Sequence, residues 1–83
     1  MNGMPKENNI LAKSILAEIF NTPIEKITDD ASIENIDDWD SLAHVQVITR
    51  LEETLDRSLD VDELIATVNL RGIEMVIEKS KNG

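Results

Sequence analysis

Apolar residues recur at helical spacing in separate runs along the chain. Ile10, Leu11, Ile15, Leu16, Ile19 and Phe20 form one stripe, which predicts a first helix over residues 5–20. Pro5 suits the first turn of that helix, where a missing N–H costs nothing. Asn21-Thr22-Pro23 ends it, because the residue before a proline is pushed out of the α region. Residues 21–40 then carry isolated apolar positions, Ile24, Ile27, Ile33 and Ile36, among turn formers such as Thr28, Asp29, Asp30 and Ser32. This predicts a long connection pinned to the core by its isoleucines, with a single helical turn near 23–27. A connection of that length in a small domain is usually functional. A second helix is expected over 41–56 with Asp40 as its N-cap. A short third follows over about 61–66, opened by the capping-box pair Asp60 and Glu63. A last helix covers about 69–80 with Val68, Leu70, Ile73, Val76 and Ile77 inward, its start blurred by Gly72. Neither an alternating β-branched run nor a hairpin turn occurs. The expectation is an all-α, small four-helix bundle of three longer helices and one short one. It is a single domain over residues 1–83, with a core of about 8–78 and flexible tails.

The second helix carries a double pattern. With Leu42 set at zero and about 100° per residue, Val47, Leu51, His44, Leu55 and Ile48 span roughly 140–240°. That arc is the predicted core face. Leu42, Val45 and Thr49 fall at roughly 300–360°, beside Ser41 and away from the core. Apolar residues rimmed by charge on an outward face are a contact-site signature, although single exposed leucines are common.

Charge sharpens this picture. The chain has 83 residues and a formal net charge of −9. Residues 25–63 carry −10 and the remainder +1. An acidic surface of this kind keeps a protein soluble, and it also suits recognition of basic partners. It argues against nucleic acid, whose binding needs a basic face, and against anionic membranes. No apolar run is long enough for a membrane span, and residues 1–9 lack a signal-peptide layout. There is no cysteine, so disulfides, thiolate zinc sites and a thiol nucleophile are excluded. A cytoplasmic location is expected. No metal site is expected either: the aspartates between Asp29 and Asp40 do not match a calcium-loop spacing. His44, the only histidine, points coreward in the helical projection, which predicts a hydrogen-bonded structural residue. Trp39 is either a core or loop anchor or part of a partner surface.

Ser41 stands at the start of the second helix, where unpaired N–H groups and the positive dipole end favour an attached phosphate. Asp40-Ser41 can equally be no more than a helix cap. The wider segment decides between these. Asp40-Ser41-Leu42, followed by Val45, Val47, Ile48, Leu51 and then Glu52-Glu53, resembles the acyl carrier protein family. So does the order of a first helix, a long loop with aliphatic anchors, a second helix opened by Asp-Ser-Leu, a short helix, and a closing helix after Thr67-Val68. The resemblance covers about residues 8–78.

That resemblance implies a non-catalytic carrier. Ser41 would be the attachment site of 4′-phosphopantetheine, taken from coenzyme A, and acyl groups would ride as thioesters on its terminal thiol. Asp40 and Leu42 would flank the cofactor. Asp40 would help a phosphopantetheinyl transferase place coenzyme A and its Mg2+, which is needed only during transfer. Leu42, Val45 and Thr49 would meet the transferase and later enzymes, and Glu52 and Glu53 would meet basic residues on partners. Those partners would include an acyl-loading ligase or acyltransferase and the synthase or transferase enzymes of fatty-acid, polyketide or related specialised biosynthesis. The carrier would act as a monomer. Alternatives are an aminoacyl, D-alanyl or peptidyl carrier, and an unmodified acidic helical adaptor. Some positions depart from the family pattern. Trp39 replaces the glycine of peptidyl carriers, and Asp56 stands where many members have glycine. The middle of the second helix has Ala43, Gln46 and Arg50 instead of acids, which points to a different partner set.

Overall fold

Each helix starts or stops where a backbone group finds a local partner. The computed structural model describes residues 6–82. In order these form α1 (Lys6–Ile19), a 3-10 turn (Ile24–Lys26), α2 (Ser41–Leu55), α3 (Val61–Ala66) and α4 (Leu70–Asn82). The expected N-terminal tail and the role given to Pro5 lie outside the described residues. The Ala43 N–H donates to Asp40 Oδ1 at 2.9 Å, which starts α2 as predicted. The reciprocal pair Asp60 and Glu63 forms a complete capping box on α3. The Gly72 N–H donates to Asn69 Oδ1 at 2.7 Å, opening α4. That helix runs two residues past its expected end. Lys79 and Lys81 in its last turn favour the extension through the helix dipole.

α1 packs along α4 and across α2, while α3 rests on α4. Leu16, Val47, Leu51, Leu70, Ile73 and Ile77 are fully buried where these helices meet. The long connection between α1 and α2 is held in part as expected, with Ile36 packed against the core. Ile27 is buried, but Ile33 is exposed. Ala31 and Trp39, both buried, are further anchors, together with backbone pairing. Ser32 and Asn69 form an isolated antiparallel bridge, in which the Ile33 N–H donates to Val68 O and the Leu70 N–H to Ala31 O, each at 2.9 Å. A backbone bridge fixes the loop whatever the side chain at position 33, which frees Ile33 to face outward.

Gly72 is not a blemish in α4. A Cβ there would stand 1.7 Å from the Ala66 carbonyl oxygen, so the end of α3 approaches α4 as closely as it does only because position 72 lacks a side chain. Asp56 is the converse case. It sits in the left-handed region at φ 56°, ψ 43° at the end of α2, where glycine carries no steric penalty and an acid meets the negative end of the helix dipole.

One buried charge ties the short helix down. Glu63 is 4% exposed. It accepts two hydrogen bonds from Arg57, at 2.8 and 2.6 Å, and a third from the Asp60 N–H at 2.9 Å. Arg57 also donates from Nε to Ser80 Oγ at 2.8 Å, which links the α2–α3 loop to α4. The Arg57 guanidinium holds the Glu63 carboxyl down to about 2 against burial, with further help from the Asp60 N–H and Lys79.

Urea melts should show Gly72→Ala destabilised by about 2–3 kcal/mol through overpacking, and Asp56→Gly stabilised by about 1 kcal/mol through relief of the left-handed strain. The folded Glu63 pKa lies below its ordinary value of 4.5, so its contribution is complete above about pH 4.5 and is lost as pH falls towards about 2. Glu63→Gln should lower stability at pH 7 by roughly 2 kcal/mol. It should also flatten the acid side of a stability–pH profile.

Candidate functional site

Ser41 is the first residue of α2, and its side chain is exposed. Asp40 before it has extended backbone and spends one carboxylate oxygen on the cap. No acid occupies the first turn of α2, so the Asp40 cap is what meets the positive end of this 15-residue helix beside the serine hydroxyl. On the same side, Leu42 is 69% and Val45 58% exposed, and Gln46 and Thr49 are exposed as well. The outward face predicted from the helical projection is therefore present. Ala43, grouped in sequence with the outward middle of the helix, is instead buried with Val47 and Leu51. Its small side chain lets the first turn of α2 sit close to the core.

Trp39 resolves to the first of its two alternatives. It is 2% exposed, tilted against Phe20 with ring centroids 5.8 Å apart. Its indole Nε1–H donates to His44 Nδ1 at 3.2 Å. His44 is half-buried and takes the expected structural role, accepting at Nδ1 and so carrying its proton on Nε2. These two rings lie on either side of Ser41 in the chain. The tryptophan holds the incoming loop, the histidine belongs to the first turns of α2, and their bond sets the turn that presents the serine.

The two glutamates at the end of α2 part company. Glu53 is exposed and lies 3.7 Å from Arg50 Nε. Glu52 is half-buried, and its Oε2 accepts the Leu59 N–H at 2.9 Å. About 100° of helical rotation separates neighbours, so adjacent acids cannot share a face. Beyond α2, Val61 and Ile65 on α3 are also well exposed. Sequence reading gave that helix no outward role. The signal was their four-residue spacing opposite Glu63, but a six-residue helix gives too short a period to choose a face.

Ser41 thus lies on an open helix terminus within a segment that matches a known family. Residues 12–75 match the family model described as phosphopantetheine attachment site. The chain belongs to the phosphopantetheine-binding acyl carrier family. It is 28% identical over 68 residues to polyketide-8 synthase acyl carrier protein 1 of Streptomyces avermitilis, covering 82% of this chain and 81% of that one. The residues present fit the family's cofactor. A phosphodiester on the exposed Ser41 would stand at the positive end of α2 and displace no buried group. Among the described residues, no helix is long and apolar enough to cross a membrane, and no group of three or more His, Cys, Asp or Glu is placed to hold a metal ion.

The Trp39–His44 bond has a measurable role. His44→Ala leaves a buried indole N–H without its partner and should cost about 1–3 kcal/mol in thermal or urea unfolding. The emission of the single tryptophan should shift as well, whereas His44→Gln, which can still accept the bond, should recover most of both.

Proposed function

We propose that this chain carries acyl intermediates as thioesters on a 4′-phosphopantetheine arm attached to Ser41, in polyketide or related specialised biosynthesis. The observation that carries the reading is the position of Ser41: an exposed hydroxyl on the first turn of a capped helix, inside the segment that matches the attachment-site family. The relative from a polyketide synthase favours polyketide over fatty-acid chemistry. The arm would supply a thiol whose thioester keeps the acyl carbonyl reactive. The protein supplies attachment, position and a docking surface.

Each part of the site then has a task. Asp40 fixes the start of α2 and so the place of the hydroxyl. Its carboxylate also stands next to the serine, where a phosphopantetheinyl transferase would bring coenzyme A and Mg2+. Leu42, Val45 and Thr49 form the outward contact surface, and Val61 and Ile65 add a second apolar pair on α3. Glu53 is open to a basic partner, while Glu52 stands at the edge of that surface with one oxygen committed to the Leu59 N–H. Later partners would be an acyl-loading ligase or acyltransferase and the synthase enzymes. Docking would be transient and salt-sensitive, because exposed charge pairs are individually weak and screened. A monomer acting in the cytoplasm accords with the dense surface charge and the absence of cysteine.

Coexpression with a broad-specificity phosphopantetheinyl transferase tests the assignment. The intact mass should rise by one phosphopantetheine, and Ser41→Ala should abolish the gain while leaving the helical circular dichroism unchanged. An unmodified wild-type chain after exposure to several such transferases would instead make it an acidic adaptor. Loading assays with acyl- and aminoacyl-adenylating ligases would then separate acyl cargo from D-alanyl or peptidyl cargo.

A further inference from the structure

The outward face of α2 does not share the acidity of its surroundings. Asp37, Asp38 and Asp40 precede it and Asp56, Asp60 and Asp62 follow it, all exposed. Between them Leu42, Val45, Gln46 and Thr49 are outward and uncharged. Val45, Gln46 and Thr49 form one wall of a shallow groove, Glu18 and Ile19 at the end of α1 form the other, and Arg50 and Glu53 complete it. Arg50 pairs with Glu18 across the groove and also approaches Glu53 on its own helix. Both acids are well exposed, at 62% and 67% of their side chains. Pairs this exposed add little to stability. Their effect is on the surface potential, because one guanidinium covers two carboxylates that would otherwise continue the acidic field across the groove.

We propose that Arg50 is a specificity-determining residue for docking on the Ser41 face. It masks Glu18 and Glu53, so that the groove takes a protein partner whose contact is uncharged at its centre and basic only at its two ends. A lysine or arginine brought over the groove meets one guanidinium among two carboxylates, so it is drawn by one net negative charge in place of the two that the bare acids would present. The flanking aspartates still reward basic groups beyond either end of α2. Discrimination arises here by withholding an attraction from the wrong partner. This inference rests on the carrier reading of Ser41.

The test follows phosphopantetheine transfer to Ser41 by intact mass, using a transferase chosen for a docking face that is basic along its whole length. Steady-state kcat/KM is measured over a range of NaCl concentrations. Arg50→Gln should raise kcat/KM about three- to tenfold at low salt, through KM, and should steepen the salt dependence. Arg50→Lys should behave as wild type. Adding Glu18→Gln and Glu53→Gln to Arg50→Gln should abolish the gain and bring the rate to the wild-type level or below it, because the unmasked acids are gone. Lys26→Gln, which makes the same change in net charge away from the groove, should have no effect. Equal rates for Arg50→Gln and wild type, an equal gain from Lys26→Gln, or a gain that survives loss of both acids would each overturn this inference and leave the carrier reading intact. Failure of every variant to accept a phosphopantetheine would overturn both.

Discussion

The Asp40 carboxylate accepts the Ala43 N–H, and that bond starts α2 at Ser41 and at no neighbouring residue. A shift of one position would rotate each side chain by about 100° about the helix axis. Val47 and Leu51 would leave the core, and Leu42 and Val45 would leave the outward face. The cap therefore sets the register of the core and of the contact surface together. It depends in turn on the residue before it. Trp39 is buried against Phe20 and bonded to His44, so the chain arrives at Asp40 from a fixed direction. Further back, the bridge between Ser32 and Asn69 ties the loop to the start of α4. A connection with little regular structure thus delivers one serine to a defined place.

The short helix α3 shows how a small domain divides its residues between folding and contact. Val61 and Ile65 face solvent, while its buried anchor is the charged side chain of Glu63. Leu64 packs against the core beside it, so α3 is fastened by one apolar and one charged side chain. Glu63 can be buried because Arg57, the Asp60 N–H and Lys79 surround its carboxylate. A buried pair of this kind is weak evidence for stability in itself, but it is sensitive to removal of either partner. It holds α3 against α4 without using the apolar side chains that face outward. Elsewhere the same economy appears in the α1–α4 seam. Fully buried Asn8 donates to Glu78 and Asn9 donates to the buried Glu74, so polar side chains help fix how these helices align.

What the sequence made legible was local. The Asp40 cap, the Asp60–Glu63 capping box and the outward Leu42, Val45 and Thr49 each follow from residues within one or two turns. Helical periodicity and backbone N–H satisfaction act over that range. What escaped was long-range or depended on exact approach. Nothing in the run from Asp56 to Glu63 shows that Arg57 reaches the carboxylate and Ser80 together. The clash that makes Gly72 necessary involves an atom of a different helix. Ile33 is released to the surface because a backbone bridge, invisible to hydropathy, carries the loop's attachment there. Glu52 and Glu53 read as one acidic pair in sequence. The helical rotation sends one of them to the Leu59 amide and the other to Arg50.

The distribution of charge connects these points. A field of −10 over residues 25–63 destabilises the compact state through self-repulsion, most of all where Asp37, Asp38 and Asp40 crowd the entrance to α2. The helix terminus offsets part of that cost, because carboxylates near the positive end are favoured there. A phosphodiester on Ser41 would join the same cluster and add further negative charge to it. The site must then be held by contacts that do not depend on local charge balance. The indole–imidazole bond, the buried Ala43 and Val47 and the backbone bridge are all of that kind. Asp37, Asp38 and Asp62 are left exposed, where they can meet a partner without closing a cap or filling the core. Asp40 and Asp60 at their caps, Glu74 in the α1–α4 seam and Glu63, enclosed by its own cations and amide, are acids that the fold uses.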